Sequence, residues 1–227
     1  RPWSGLAATG RASRGGGRLI ATARARADAA SEPAGADEDI DRAEVLWQLG
    51  EWAPAERGTL HAEGARLLRR AILTRAGRAG DDLDALLALS RGLAPHEGLI
   101  HDLIDLSASA GDDPAVGRLL SAMDTLFPGT FTWPYERAGW LMERGLFAES
   151  EAPAREALQN AHGDIALRAA RRLAETLIQL GRAEEADAIL LAALAAAPPV
   201  EQNVRTWRYR KALEELRVTT ASAPSAP

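Results

Sequence analysis

Cysteine is absent from the 227-residue sequence, which removes disulfides, thiolate nucleophiles and thiolate metal sites together. Lysine is almost absent as well. Of 27 basic residues only Lys211 is not arginine, a usage that, with so much alanine, matches GC-rich coding. Long hydrophobic runs are also missing, since the longest nearly apolar stretch, from Ala188 to Val200, is alanine-rich and runs into Pro198 and Pro199. Crossing a bilayer takes about 20 apolar residues, so no membrane span is expected. Basic charge is in deficit, with 32 acidic residues giving a net charge of -5. Neutralising phosphates needs a basic surface, so direct DNA binding is not expected.

Signs of chemistry are equally sparse. His61 and His162 have no acidic or nucleophilic neighbour at a diagnostic spacing and read as surface residues. The serines form no nucleophile elbow, and the glycines Gly15, Gly16 and Gly17 lack the preceding strand and following lysine of a phosphate loop. Glu97, His101 and Asp105 are four residues apart and share one helix face, as metal ligands can. No second element supplies matching ligands, so neither a metal site nor a cofactor is expected. Paired acids such as Asp81 and Asp82, Asp112 and Asp113, or Glu184 and Glu185 fall at helix starts, where they complement the helix dipole. With no credible general base, the chain is not expected to be an enzyme.

What is present is helical periodicity. The stretch from Ile165 to Pro199 carries Leu167, Ala170, Leu173, Ala174, Leu177 and Leu180 on one helical stripe. Ala186, Ile189, Leu190, Ala193 and Leu194 form a second stripe. Gly181 divides the two, since glycine takes the left-handed conformation that closes a helix. Pro198 and Pro199 are expected to stop the second helix. Such a hairpin cannot bury its apolar side alone and needs neighbours.

Earlier copies share the frame. Gly77, Gly111, Gly145 and Gly181 are spaced by 34, 34 and 36 residues, about the length of a helix pair with its turns. Small residues recur where the helices of a pair would cross: Ala174, Ala186 and Ala193 in the last copy, and Ala138, Ser150 and Ala157 in the one before, where His162 replaces the closing proline. The preceding copy keeps Gly111 and Pro128 but has Ile104, Val116 and Met123 at the small positions, and the first has Arg70 and Asp82 at two of them. On these residues the chain resembles the tetratricopeptide repeats. The resemblance implies an all-α fold, a right-handed α-α superhelix of about four helix hairpins with a C-terminal capping helix. It also implies a concave groove that holds a protein partner.

A second resemblance covers roughly residues 50–126. Trp52, Arg57 and Leu60, a long helix ending at Gly77 and Arg78, a short helix ending at LAPHE, and a helix pair through Gly111 are similar to the helical bacterial transcriptional activator domain of antibiotic-regulatory proteins. This implies the alternative reading of a helical sensor or effector module of a transcriptional regulator that lacks its DNA-binding domain.

The remaining segments complete the expected organisation. Residues 1–38 form a basic arm, with Arg1, Arg11, Arg14, Arg18, Arg24 and Arg26 and no acid before Asp28, followed by an acidic linker. Too little apolar surface is available there to offset ordering entropy. The arm fits either a targeting remnant of an organelle-directed precursor or a segment that stays disordered unless a partner orders it. A soluble, cytoplasmic protein is expected, with organelle import as the alternative. Residues 39–129 hold the degenerate repeats, with a short helix through Ile40, Ala43, Leu46 and Trp47 and another opened by Trp52 and Pro54. Residues 130–200 hold the two clearer repeats. Residues 201–218 form the capping helix, whose Val204, Trp207, Leu213 and Leu216 are expected to cover the last open face, and residues 219–227 form a disordered tail.

Function is therefore expected to be recognition: an adaptor, scaffold or assembly subunit binding protein partners. Groove-facing polar positions by the repeat frame are His101 and Asp105, then Tyr135, Gly139 and Met142, then Arg168, Arg171, Arg172, Glu175 and Gln179. The three arginines, spaced by three and four, put several donors on one face for a carboxylate, an acidic peptide or a C-terminus, unless Glu175 and Asp164 balance them as a solvated face. The aromatic run of Trp133, Tyr135 and Trp140 reads either as a partner-binding cluster or as a packed joint. The arginine-rich arm is a possible second contact.

Overall fold

Apolar residues recurring every three or four positions, with few β-branched side chains, leave helix as the dominant regular structure. The computed structural model describes residues 25, 35–197 and 204–221, and among them there is no strand. Ten α-helices follow in order: α1 (Ala36–Trp52), α2 (Arg57–Arg75), α3 (Leu83–Leu87), α4 (Glu97–Ala110) after a 3-10 turn (Ser90–His96), α5 (Asp113–Leu126), α6 (Thr132–Glu143), α7 (Phe147–Asn160), α8 (Asp164–Gln179), α9 (Ala183–Ala196) and α10 (Val204–Ala221). None of the described helices is long and apolar enough to cross a membrane. Contacts divide the chain into two compact units, one ending at Val116 and the other beginning at Gly117.

The four repeat-frame glycines all take positive φ, from 72° to 80°. At Gly181 the reason is visible in the hydrogen bonds. The Arg182 amide donates to the Leu177 carbonyl at 2.8 Å and the Gly181 amide to Ile178 at 3.0 Å, the paired closure that needs a left-handed residue. Helix α9 ends at Ala196; Pro198 and Pro199, expected to stop it, lie outside the described residues, as do the basic arm's arginines and most of the tail.

In the first unit α2 packs against both α1 and α4. Leu67, Leu73, Leu86, Ile100 and Leu103 are completely buried there. Two expectations are corrected. Helix α1 is 17 residues long and holds Trp52 in its own last turn, so Trp52 closes that helix and stands 63% exposed. His61 is not a surface residue: it is fully buried, its ring stacked on Trp47 with centroids 5.1 Å apart. His61 Nε2 lies 3.0 Å from the Trp47 carbonyl and Nδ1 lies 2.6 Å from Ser109 Oγ, so both ring nitrogens are satisfied by residues far off in sequence. Gly50 makes the room, since a Cβ there would fall 2.2 Å from His61 Nε2. Arg70, at a position the repeat frame reserves for a small residue, instead reaches the fully buried Asp39 with its Nε 2.6 Å from Oδ2. Asp82 likewise serves locally, its Oδ1 accepting from the Ala85 amide at 2.9 Å to cap α3.

In the second unit each helix packs on the next, α6 on α7, α7 on α8 and α8 on α9, while α10 lies against α8 and α9. One core runs through it. Fully buried alanines 138, 154, 170, 174 and 186 stand among Leu167, Leu173, Leu177, Leu190 and Leu213. Each fully buried leucine contributes roughly 2 kcal/mol relative to exposure. Ser150, at another small position, is buried with its hydroxyl 3.2 Å from Thr176 Oγ1. The covering role of α10 falls to Leu213, with Leu216 and Tyr209 packed beside it. Trp207 does not share it: the indole is 51% exposed and carries Lys211 Nζ 5.6 Å from its ring centroid. Trp207 sits six residues before Leu213, about 240° around the helix, and so faces away from the core.

The aromatic run is mostly packed inside the second unit. Trp133 is 1% exposed and stacks on Phe127, and Trp140 lies over Gly117, where a Cβ would meet its Cη2 at 2.7 Å.

The Asp39–Arg70 pair yields a test. Removing one partner of a buried ion pair strands the other, so Arg70→Ala should lose about 3 kcal/mol in urea denaturation. Replacing both residues by leucine should recover most of that loss.

Candidate functional site

Residues four apart on a helix share a face, and residues three apart nearly so. On α8 this puts Arg168 and Arg172 together on the side turned to α6, which lies against α8. Arg171, one position round, points away. The Arg172 guanidinium carbon is 4.2 Å from the centroid of the Tyr135 ring, and that of Arg168 is 4.9 Å from the same ring. Arg168 also lies 6.0 Å from the Tyr209 ring of α10, so it is flanked by two aromatic residues 74 positions apart. Arg172 Nη1 donates to the Tyr135 carbonyl at 3.4 Å, a weak bond at the edge of hydrogen-bond length.

Gly139 completes the platform. A Cβ at that position would fall 1.7 Å from Arg172 Nη1, so only glycine leaves space for the guanidinium to lie along α6. Tyr135 is itself buried, which fixes the ring that holds both cations. Each cation–π contact is worth about 0.5 to 2 kcal/mol depending on desolvation.

Electrostatics separates these two arginines from Arg155, Arg171, Arg182 and Arg217. Arg171 Nε donates to Glu175 Oε1 at 2.7 Å. Arg155 and Arg182 share Glu151 and Glu185 in a four-membered network across α7 and α9, with contacts of 2.5 to 2.8 Å. Arg217 holds Asp187 at 2.5 Å. Arg168 and Arg172 have no carboxylate at ion-pair distance among the described residues; their contacts are with tyrosine. Half-burial works against the charge of Arg168, but Tyr135, Tyr209 and Glu136 outweigh it and hold its pKa above the ordinary arginine value. The result is two fixed, half-buried cations with donors left over.

Of the expected site residues, then, Tyr135, Gly139, Arg168 and Arg172 come together. Arg171 and Glu175 form a separate pair beside them. Met142 is half-buried two turns along α6 from Tyr135. Tyr209 joins them from α10, and nothing local in that helix ties it to α8.

His101 and Asp105 belong to the first unit, where His101 Nδ1 lies 3.5 Å from Asp105 Oδ2. Among the described residues no group of three or more His, Asp or Glu is placed to hold a metal ion. Asp105 instead borders a cavity of about 170 Å³ between α1, α2 and α4. Ile40, Trp47, Leu68 and Leu106 make its walls, and Glu44 and Asp102 join Asp105 as its polar lining. Partial burial pushes the Asp102 carboxyl above the ordinary range; His101 opposes the shift and Asp105 and Glu44 reinforce it.

Two measurements check this description. In Gly139→Ala the Arg172 guanidinium must swing off the ring. Stability should change by no more than about 1 kcal/mol, while the Arg172 Nε–H resonance should lose its ring-current shift. For Asp102, a raised folded pKa means stability that is present below the usual carboxylate range and lost as pH rises through the folded value. Asp102→Asn should therefore be more stable than the parent at pH 7 and indistinguishable from it at pH 3, as read by urea denaturation.

No protein-family model matches this chain, and no curated protein or solved structure matches it either.

Proposed function

We propose that the protein is a non-enzymatic interaction module, an adaptor or scaffold subunit, whose second unit captures an acidic segment of a protein partner. In this reading the helix hairpins within each unit stack as in a right-handed α-α superhelix of the tetratricopeptide type, with α10 as the cap. The first helices of successive hairpins, α6 and α8, line the groove. A single observation carries the reading: Arg168 and Arg172 are held by aromatic rings and have no carboxylate at ion-pair distance among the described residues. Every other arginine on these helices that is saturated by glutamate or aspartate has little left to offer a ligand.

Chemically the platform suits carboxylates. Planar guanidinium groups bind carboxylates in bidentate fashion, and half-burial raises the worth of each charge-assisted hydrogen bond to about 1.5 to 3 kcal/mol. Their rigid mounting on Tyr135 and Gly139 lowers the ordering cost of binding.

The test is calorimetric titration with a short peptide ending in consecutive aspartates and glutamates. The Arg168→Ala, Arg172→Ala double variant should bind at least tenfold more weakly, since two such bonds exceed 1.4 kcal/mol. Arg171→Ala should stay within about twofold, because its guanidinium is already spent on Glu175. Equal affinity in the double variant and the parent would sink the assignment.

A further inference from the structure

A second site of opposite sign lies in the first unit. Its cavity is mostly apolar, and its Trp47 wall is immobilised by the stack on buried His61. Its volume is about 170 Å³. Ligand sites for drug-sized molecules start at about 300 Å³, so the volume suits one anchoring side chain of a larger partner better than a free metabolite. The polar lining is wholly acidic. Glu44 and Asp102 have no cationic partner at ion-pair distance among the described residues, and Asp105 has only His101 at 3.5 Å. Elsewhere in this unit carboxylates near arginine are paired: Glu63 and Asp81 with Arg66, Asp39 with Arg70, Asp37 with Arg75. The cavity thus combines an apolar floor with like charges that repel one another and that a cation would relieve.

We propose that this cavity is a docking site for a basic segment of a protein partner, in which one leucine-sized side chain fills the hole and flanking arginines or lysines pair with Glu44 and Asp102. Charge complementarity selects the occupant. An acidic or neutral segment docked over them would bury the carboxylates without compensation, a penalty that rejects the wrong partner as effectively as contacts attract the right one. The anchor supplies affinity by taking its apolar surface out of water, while rim charges contribute rate and selectivity. This site does not depend on the tyrosine–arginine platform of the second unit, and its ligand has the opposite charge.

The probe is a synthetic ten-residue peptide with one leucine between arginines, titrated calorimetrically into the full chain. Binding should weaken at least fivefold in the Glu44→Gln, Asp102→Asn double variant, whose polar, isosteric changes at exposed positions leave the helices intact by circular dichroism. Exchanging the peptide's leucine for glycine should weaken binding at least tenfold, and exchanging its arginines for glutamates should abolish it. The Arg168→Ala, Arg172→Ala variant should bind the basic peptide as the parent does, which separates failure at this site from failure at the other. A peptide that binds equally with or without leucine would reduce the effect to bulk attraction by a chain of net charge -5 and overturn the proposal. So would affinity unchanged in the carboxylate variant. Self-association that the same variant abolishes would assign the cavity to a second copy of the chain instead.

Discussion

One-carbon side chains set the distance between helices in the second unit, and the rest of that unit follows from it. With Ala138, Ala154, Ala170, Ala174 and Ala186 fully buried between neighbouring helices, no bulk holds the backbones apart. Leucines can then interlock from either side, with the dense packing that protein interiors require. Closeness has a chemical consequence as well. Only because α6 and α8 lie together can Arg172 reach across to the Tyr135 carbonyl and ring, and only because position 139 is glycine is there space for it to do so. The same packing rule that makes the core therefore builds the platform on its surface.

Charge is distributed by the same logic. On the second helices of the hairpins, arginines and glutamates stand opposite one another and close into the Arg155, Arg182, Glu151 and Glu185 network. Exposed pairs of this kind add little stability each, but they consume donors. Between α6 and α8 the residues facing Arg168 and Arg172 are tyrosine and glycine, so the charge of these two arginines is oriented without being neutralised. A ring can hold a guanidinium by its face while leaving the edge donors open, which a carboxylate cannot do.

The first unit solves its packing differently. Where the repeat frame asks for small residues it has Ile104, Val116 and Arg70, and the space is taken up by larger apolar groups and by buried polar residues, Asp39 and His61 among them. Asp39 and His61 are tolerated inside because each is satisfied, the first by Arg70 and the second by Trp47 and Ser109. Unsatisfied, either would cost more than a typical surface substitution. The cavity beside Trp47 is the residue of this less regular packing, and its acidic lining is what gives it chemical character.

Helix periodicity and the left-handed turns at Gly77, Gly111, Gly145 and Gly181 were determined by local sequence, because left-handed closure and amphipathic spacing act within a few residues. Local spacing also put Arg168 and Arg172 on one face. It could not tell them from Arg171, whose neutralisation by Glu175 depends on rotamers, nor foresee Tyr209, which arrives from another helix. His61 read as a surface residue because its partners, Trp47 and Ser109, lie 14 and 48 positions away. Trp207 read as a covering residue because its hydrophobicity alone does not say which side of α10 meets the core. Tertiary structure alone decided these, since burial, pairing and the shape of a cavity depend on which distant side chains are brought into contact, and no window along the chain contains that information.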